Sequence, residues 1–259
     1  MSHGHSADGH SADSAGVPWD GRHFEPNPAA GDDGSADEKL LEAIRRLRAG
    51  ELGEAEVVDA LRDARLLIPL VAELGDSGTN ASGHLVDKSQ ELSIVTVAGP
   101  DGRTVLPAFT SVDTMREWDP AARPIPASGE RVALAAAGEG TDLLVLDATS
   151  ATEVVIRRPA LWAIARREPW KPAYLDPDVL RAFMDAAAPE PAVHAVQLAP
   201  GDPEARLAGP EVLAQFSIVD GLDREGLDAL MSRMSARWAA DQVIVARVDS
   251  IGVRIVGTA

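Results

Sequence analysis

Cysteine is absent from this 259-residue chain. That single absence excludes disulfides, thiolate metal ligands, cysteine nucleophiles and thiol redox chemistry. Aromatic residues are few, at 4%, so Leu, Val, Ile and Ala must pack whatever core a 45% hydrophobic composition builds. Cations are outnumbered: 24 Lys and Arg face 41 Asp and Glu, a formal net charge of −17. A phosphate backbone requires clustered cations and an anionic lipid surface repels an acidic chain, so neither nucleic acid nor membrane is an expected partner. No apolar run approaches the ~20 residues of a membrane span. The opening MSHGHSADGHSAD lacks the basic and apolar regions of a secretory leader, and the expected compartment is the cytoplasm. Glycine-rich phosphate loops, dinucleotide fingerprints and HExxH helices are missing as well. No catalytic residue, metal site or cofactor is assigned.

What the chain does hold is a series of short periodic segments. Residues 1–36 are rich in Gly, Ser, Asp, Ala and Pro and carry the tandem repeat GHSAD-GHSAD. They offer too little apolar surface to offset ordering entropy and are expected to be disordered. From about Asp37, the residues Leu40, Leu41, Ile44 and Leu47 mark one face of a helix that Gly50 stops. Val57, Val58, Leu61 and Ala64 mark a second helix. It delivers into the unbroken apolar run 66–71, too short for another surface helix and read as a buried strand. A polar loop over 75–88 precedes a hairpin, with one strand through Leu92, Ile94, Thr96 and Val97, a turn at 99–102 and a return over 104–109. Ser111 or Asp113 can cap a short helix after it.

Strands are expected at 131–135, 143–146 and 154–156, then a helix opened by Pro159. The proline-rich 169–177 reads as an interdomain linker. Beyond it come a helix over 178–187, strands at 193–198 and 212–219, and a helix capped by Asp223 with the apolar stripe Leu227, Leu230, Met231, Met234 and Trp238. Closing strands at 242–248 and 251–256 suggest a small sandwich of ferredoxin-like kind. The expected class is α+β. It comprises a disordered arm (1–36) and two small α/β sandwich domains, with helices on mixed or antiparallel sheets, at 37–168 and 178–259.

The stretch Thr104–Met115, TVLPAFTSVDTM, is a hairpin strand running straight into a capped helix. Together with the helix-to-strand passage over 60–71 and the strand 142–147, DLLVLD, it resembles the SseB N-terminal-domain family. The likeness covers residues 37–170, and the C-terminal half resembles the second domain that often follows. The segment VPWDGRHF (17–24) with Gly31-Asp-Asp-Gly34 is similar to the N-terminal arms of actinobacterial members. One departure is Val155-Ile-Arg-Arg-Pro159, where members commonly carry Gly or Asn close before the proline. The resemblance implies a genetic link to serine sensitivity and no assigned reaction. The reading it favours is a non-enzymatic cytoplasmic binding or regulatory module with a protein or small-molecule partner. The alternative is a protein that binds or processes amino acids, serine among them.

Several residues are candidates for chemistry. Trp19, Arg22 and Phe24 stand together in a polar arm and are of types enriched at interfaces, so they are candidates for docking on a partner or on the chain's own domain. His84, beside Asp87 and Lys88, lies on a loop, and Arg157 and Arg158 precede a helix; together they are a candidate anion or ligand site. Arg166, Arg167 and Lys171 extend that basic concentration, although cations at a helix C-terminus also suit its dipole. His3, His5 and His10 lack the neighbours that orient a ligating imidazole. Gly75-Asp-Ser-Gly78 matches a serine-protease fragment, but it is built of turn residues and has no base placed in that family's order.

Overall fold

A computed structural model describes residues 31–72, 78–79, 85–86, 92–94, 96–99, 101–138, 140–141 and 143–257. Trp19, Arg22, Phe24, the N-terminal histidines, His84 and most of the 75–88 loop lie outside these residues.

Local signals account for most of the elements. Asp37 accepts hydrogen bonds from the amides of Lys39 and Leu40 and opens α1 (Glu38–Arg48). The helix ends where Gly50 adopts φ +68°, a conformation that costs glycine little. In α2 (Glu54–Asp63) the Glu56 side chain reaches back to the Gly53 amide, and the chain then enters β1 (Arg65–Ala72). The short strands β2 (Gly78–Thr79), β3 (Leu85–Val86), β4 (Leu92–Ile94) and β5 (Val97–Ala98) lead to β6 (Thr104–Ala108). Ser111 caps α3 (Val112–Trp118) by accepting from the Thr114 amide. There follow β7 (Arg123–Ser128), α4 (Gly129–Gly138), β8 (Leu143–Leu146), β9 (Val154–Arg157) and α5 (Arg158–Arg166). After a 3-10 turn (Ala173–Leu175) come α6 (Pro177–Ala187), β10 (Val193–Pro200), β11 (Val212–Ile218), α7 (Arg224–Ala240), α8 (Gln242–Arg247) and β12 (Ile251–Gly257).

The class is α+β, with mixed and antiparallel sheets. In the sheet β5-β6-β8-β9 the inner pair β6 and β8 is parallel and both outer pairings are antiparallel. A second sheet, β4-β1-β7, is antiparallel throughout. Leu67 and Phe109 exchange backbone hydrogen bonds of 2.8 and 2.9 Å and tie β1 to the end of β6. The third sheet pairs β10 with β11 antiparallel and β11 with β12 parallel, and β2 pairs with β3 alone.

Residues Gly34–Ala259 form one compact unit built on two main hydrophobic cores. The first is aliphatic: Leu40, Leu61, Leu66, Leu106 and Leu144 are all at 0% exposure. Each such leucine contributes roughly 1.5–3 kcal/mol relative to exposure. The second is aromatic at its centre, with Trp238 5.4 Å from Phe183 and stacked on Phe216 at 5.6 Å. The α7 stripe supplies Leu230, Met234 and Trp238 to that core, with Leu227 and Met231 packed at its margin. Glu190, just past α6, is clamped by Arg233 and Arg237 of α7 at 2.7 and 2.8 Å. In the proline-rich segment Trp170 packs on the first core and Tyr174 on the second, and Ala173 is buried.

Four expectations are corrected. Residues 131–135 are not a strand but the middle of α4, whose sequence GERVALAAAG is dominated by the best helix former. The helix buries Val132, Ala133 and Ala136 and starts hard against α2: a Cβ on Gly129 would lie 1.9 Å from the Leu61 carbonyl oxygen. Residues 242–248 are likewise mostly helix, because Asp241 accepts from the amides of Val243 and Ile244 and initiates α8 against the β preference of Val and Ile. The third sheet therefore has three strands where four are expected from the sequence. The expected strand through 92–97 divides, β4 pairing with β1 and β5 with β6. Finally, β7 was hidden by Pro124 and Pro126, which an edge strand tolerates.

Candidate functional site

The basic concentration around α5 separates into two environments. Arg157 closes β9 with its side chain 4% exposed. Its guanidinium reaches Asp202 at 2.7 Å, Asp249 at 3.0 Å, the Gly209 carbonyl at 2.8 Å and Ser250 Oγ at 3.3 Å. Arg103 donates to the other oxygen of Asp249 at 2.9 Å and to Asp101 at 2.6 Å. Burial pushes the Asp249 carboxyl up, but Arg103 and Arg157 outweigh it and hold the group below the usual carboxylate range. The positive charge of Arg157 is thus largely consumed inside the protein.

Glu211 sits beside this pair and forms no ion pair among the described residues. One oxygen accepts from the Asp249 amide at 2.5 Å, and the other is buried without a hydrogen bond. Burial, reinforced by the charge of Asp249 and opposed by that amide bond and by Arg157, raises its pKa to about 7. Burial also raises Glu54, which Tyr174 faces at 3.5 Å; the tyrosine is itself pushed up to about 12, first by burial and then by Glu54. Asp101, Arg103, Gly209, Pro210, Asp249 and Ser250 line an open cleft of about 580 Å³ beside this junction.

The second environment is a groove of about 520 Å³ along α5, residues 168–171 and α8. Trp162 lines it and is 36% exposed. The guanidiniums of Arg158 and Arg166 lie 5.3 and 5.7 Å from its ring centre, one helical turn before it and one after. Arg158 also donates to the carbonyls of Val245 and Val248 at the end of α8. Lys171, Arg247, Glu168 and Asp176 complete the charged lining, and Arg247 is paired with Asp176 at 2.9 Å. Arg167 takes no part; it bridges Asp63 and Glu130.

Of the residues singled out from sequence, Arg157 and Arg158 are described and adjoin, but they face different surroundings; Trp19, Arg22, Phe24 and His84 are not described. Trp162 is not among them. Its signal was available: an arginine four residues before and another four after a tryptophan place all three on one helix face.

The segments TVLPAFTS and DLLVLD meet at the C-terminal ends of parallel β6 and β8. Asp147, at 0% exposure, accepts there from the Thr110 amide and hydroxyl at 2.7 Å each, from Thr152 Oγ1 at 2.7 Å and from Thr114 Oγ1 at 2.9 Å. Every one of these donors is turned onto the carboxylate, and the cluster fixes the β6–α3 and β8–β9 connections. No helix among the described residues is long and apolar enough to cross a membrane, and no group of three or more acidic or histidine side chains among them could hold a metal ion. No curated protein and no solved structure gives a significant match. Residues 38–163, from α1 into α5 and including both segments that converge on Asp147, match the SseB protein N-terminal domain.

Proposed function

We propose that this chain belongs to the SseB family and is a non-enzymatic binding or regulatory module of the cytoplasm that engages a protein or small-molecule partner. The observation that carries this reading is the groove beside α5, where an exposed tryptophan stands among cations not spent on internal ion pairs. Elsewhere the buried charges serve the fold: Arg157 holds Asp202 and Asp249, and three threonines hold Asp147. In this reading Trp19, Arg22 and Phe24 are a second partner contact on the arm. Residues 178–259 are then the C-terminal domain that accompanies the N-terminal one in actinobacterial members. The test is recovery of partners by the tagged full-length chain from native lysate. A partner kept by wild type and lost with Trp162→Ala, or with Trp19→Ala and Arg22→Ala together, supports the reading; identical eluates from all three oppose it.

The cleft beside the Arg157 junction favours a second reading, amino-acid binding or processing. Arg103, Asp101 and Ser250 offer it both signs of charge and a hydroxyl, the groups a zwitterion needs. A thermal-shift panel of amino acids separates the readings, since a ligand at a hundredfold its Kd stabilises by ~2.7 kcal/mol and a saturable rise in Tm is then expected.

A further inference from the structure

From the same groove we infer the class of its ligand: an acidic peptide segment of a partner protein, carrying at least one bulky apolar side chain. This rests on the binding-module reading above and narrows it.

The charge pattern sets the sign. Arg166, Lys171 and Arg247 line the groove against two carboxylates, Glu168 and Asp176, and Arg158 stands over the Trp162 ring, in a chain whose formal charge is −17. Asp176 is taken up by Arg247. Arg166 and Lys171 are both exposed and form no hydrogen bond or ion pair with described residues; Arg166 lies over the Trp162 ring, and Lys171 acts on Asp176 only through its charge. Two exposed cations outside any ion pair with described residues, on the surface of an acidic chain, give a local potential that steers carboxylates to this place and away from the rest of the molecule.

The shape and the rings set the rest. Trp162 and Trp170 line the floor with Pro159, Ala163, Pro169 and Ala246, so an anion lacking an apolar part leaves this surface uncovered. A volume of about 520 Å³ suits a few side chains of a peptide rather than a lone inorganic anion. A long polyanion is disfavoured, because a nucleic-acid backbone extending past the groove meets the acidic remainder of the surface. Arg158 contributes in place: its bonds to the α8 carbonyls hold it beside Trp162, so the aromatic–cation pair is formed before any ligand arrives.

The test is fluorescence anisotropy on the full-length chain with three labelled probes: a short peptide alternating glutamate and leucine, its glutamine analogue, and single-stranded DNA of similar length. Inorganic phosphate is the unlabelled competitor. The acidic peptide should bind saturably, and Arg166→Glu with Lys171→Glu should weaken it by about tenfold or more. Trp162→Ala should weaken it by about threefold or more. Arg224→Glu with Arg254→Glu, an equal charge change at exposed positions outside the groove, should leave it within about twofold. Equal loss in both double variants overturns the inference, since attraction is then diffuse. So does tighter binding of DNA, or full displacement by millimolar phosphate. Binding of the glutamine analogue as tightly as the acidic peptide, with Trp162 still required, overturns the acidic class and leaves the binding-module reading standing. If no probe binds, the inference falls, and the lysate comparison with Trp162→Ala decides the broader reading separately.

Discussion

The carboxylates of Asp147 and Asp249 are both buried, their side chains 0% and 2% exposed, yet opposite means stabilise them. Asp147 is solvated by neutral donors, an amide and three hydroxyls, all within 37 residues of it in sequence. Asp249 is matched by two guanidiniums that lie 92 and 146 residues away. Neutral donors add no charge to a low-dielectric interior, so the first cluster tolerates isolation inside the N-terminal domain. Ion pairs carry a desolvation penalty that good geometry only just offsets, and removing one partner exposes the whole of it. The Arg157 junction therefore stakes more free energy on one side chain, and it does so where β9 meets the loops at Asp202 and Asp249 in the C-terminal half.

That contrast is open to attack by mutation. The largest expected effect is from Arg157→Ala, which leaves Asp202 without its cation and Asp249 with Arg103 alone, and should cost ~4 kcal/mol, read from the urea midpoint. A loss below ~1 kcal/mol would mean that water replaces the guanidinium and that the junction is not truly dry. Asp147→Ala should cost somewhat less, ~3 kcal/mol, because its threonine hydroxyls can rotate to other acceptors while the Thr110 amide cannot. If it proves the costlier of the two, the ranking of charge pairs over neutral donors is wrong for this protein.

Protonation sharpens the same comparison. Glu211 has its pKa raised from 4.5 to about 7 in the fold, so its charged form is disfavoured there. Its contribution to stability is fully present below pH 4.5, declines as pH rises through about 7, and is absent above that. Glu211→Gln should remove this dependence and be the more stable protein at pH 8, by up to ~3 kcal/mol from the linkage relation. Parallel stability curves for variant and wild type between pH 5 and about 8 would show that Glu211 does not titrate in this window. The smallest effect belongs to Thr152→Val, which deletes one neutral donor to Asp147 and should cost ~1 kcal/mol at every pH in that range.

Much of the architecture could be read locally. Helix faces at Leu40, Ile44 and Leu47, the caps at Ser111 and Asp223, and the α7 stripe are short-range patterns, and they appear as expected. The failures are also physical. Residues 242–248 read as a strand because Val and Ile favour pleated surfaces, until a cap at Asp241 and packing of Ile244 on the second core decide for helix. Strand β7 is not marked locally because its partner residues in β1 lie 53 to 63 positions back and its prolines suggest a loop. The groove is half visible in the sequence: Arg158 belongs to a candidate anion site and Arg166 to the same basic concentration, but a cation at a helix C-terminus also suits the dipole, and nothing local says that α8 closes the far wall.

By itself the sequence determined the periodic faces, the caps and the turns, along with the net charge and the exclusions that follow from having no cysteine. These depend on residues within a few positions of one another. Only the tertiary structure decided that Arg157 turns inward to Asp202 and Asp249 while Arg158, its neighbour, turns to Trp162 and the end of α8. Adjacent residues at the junction of a strand and a helix point in different directions, and what each one meets is set by chain segments 45 to 92 residues away.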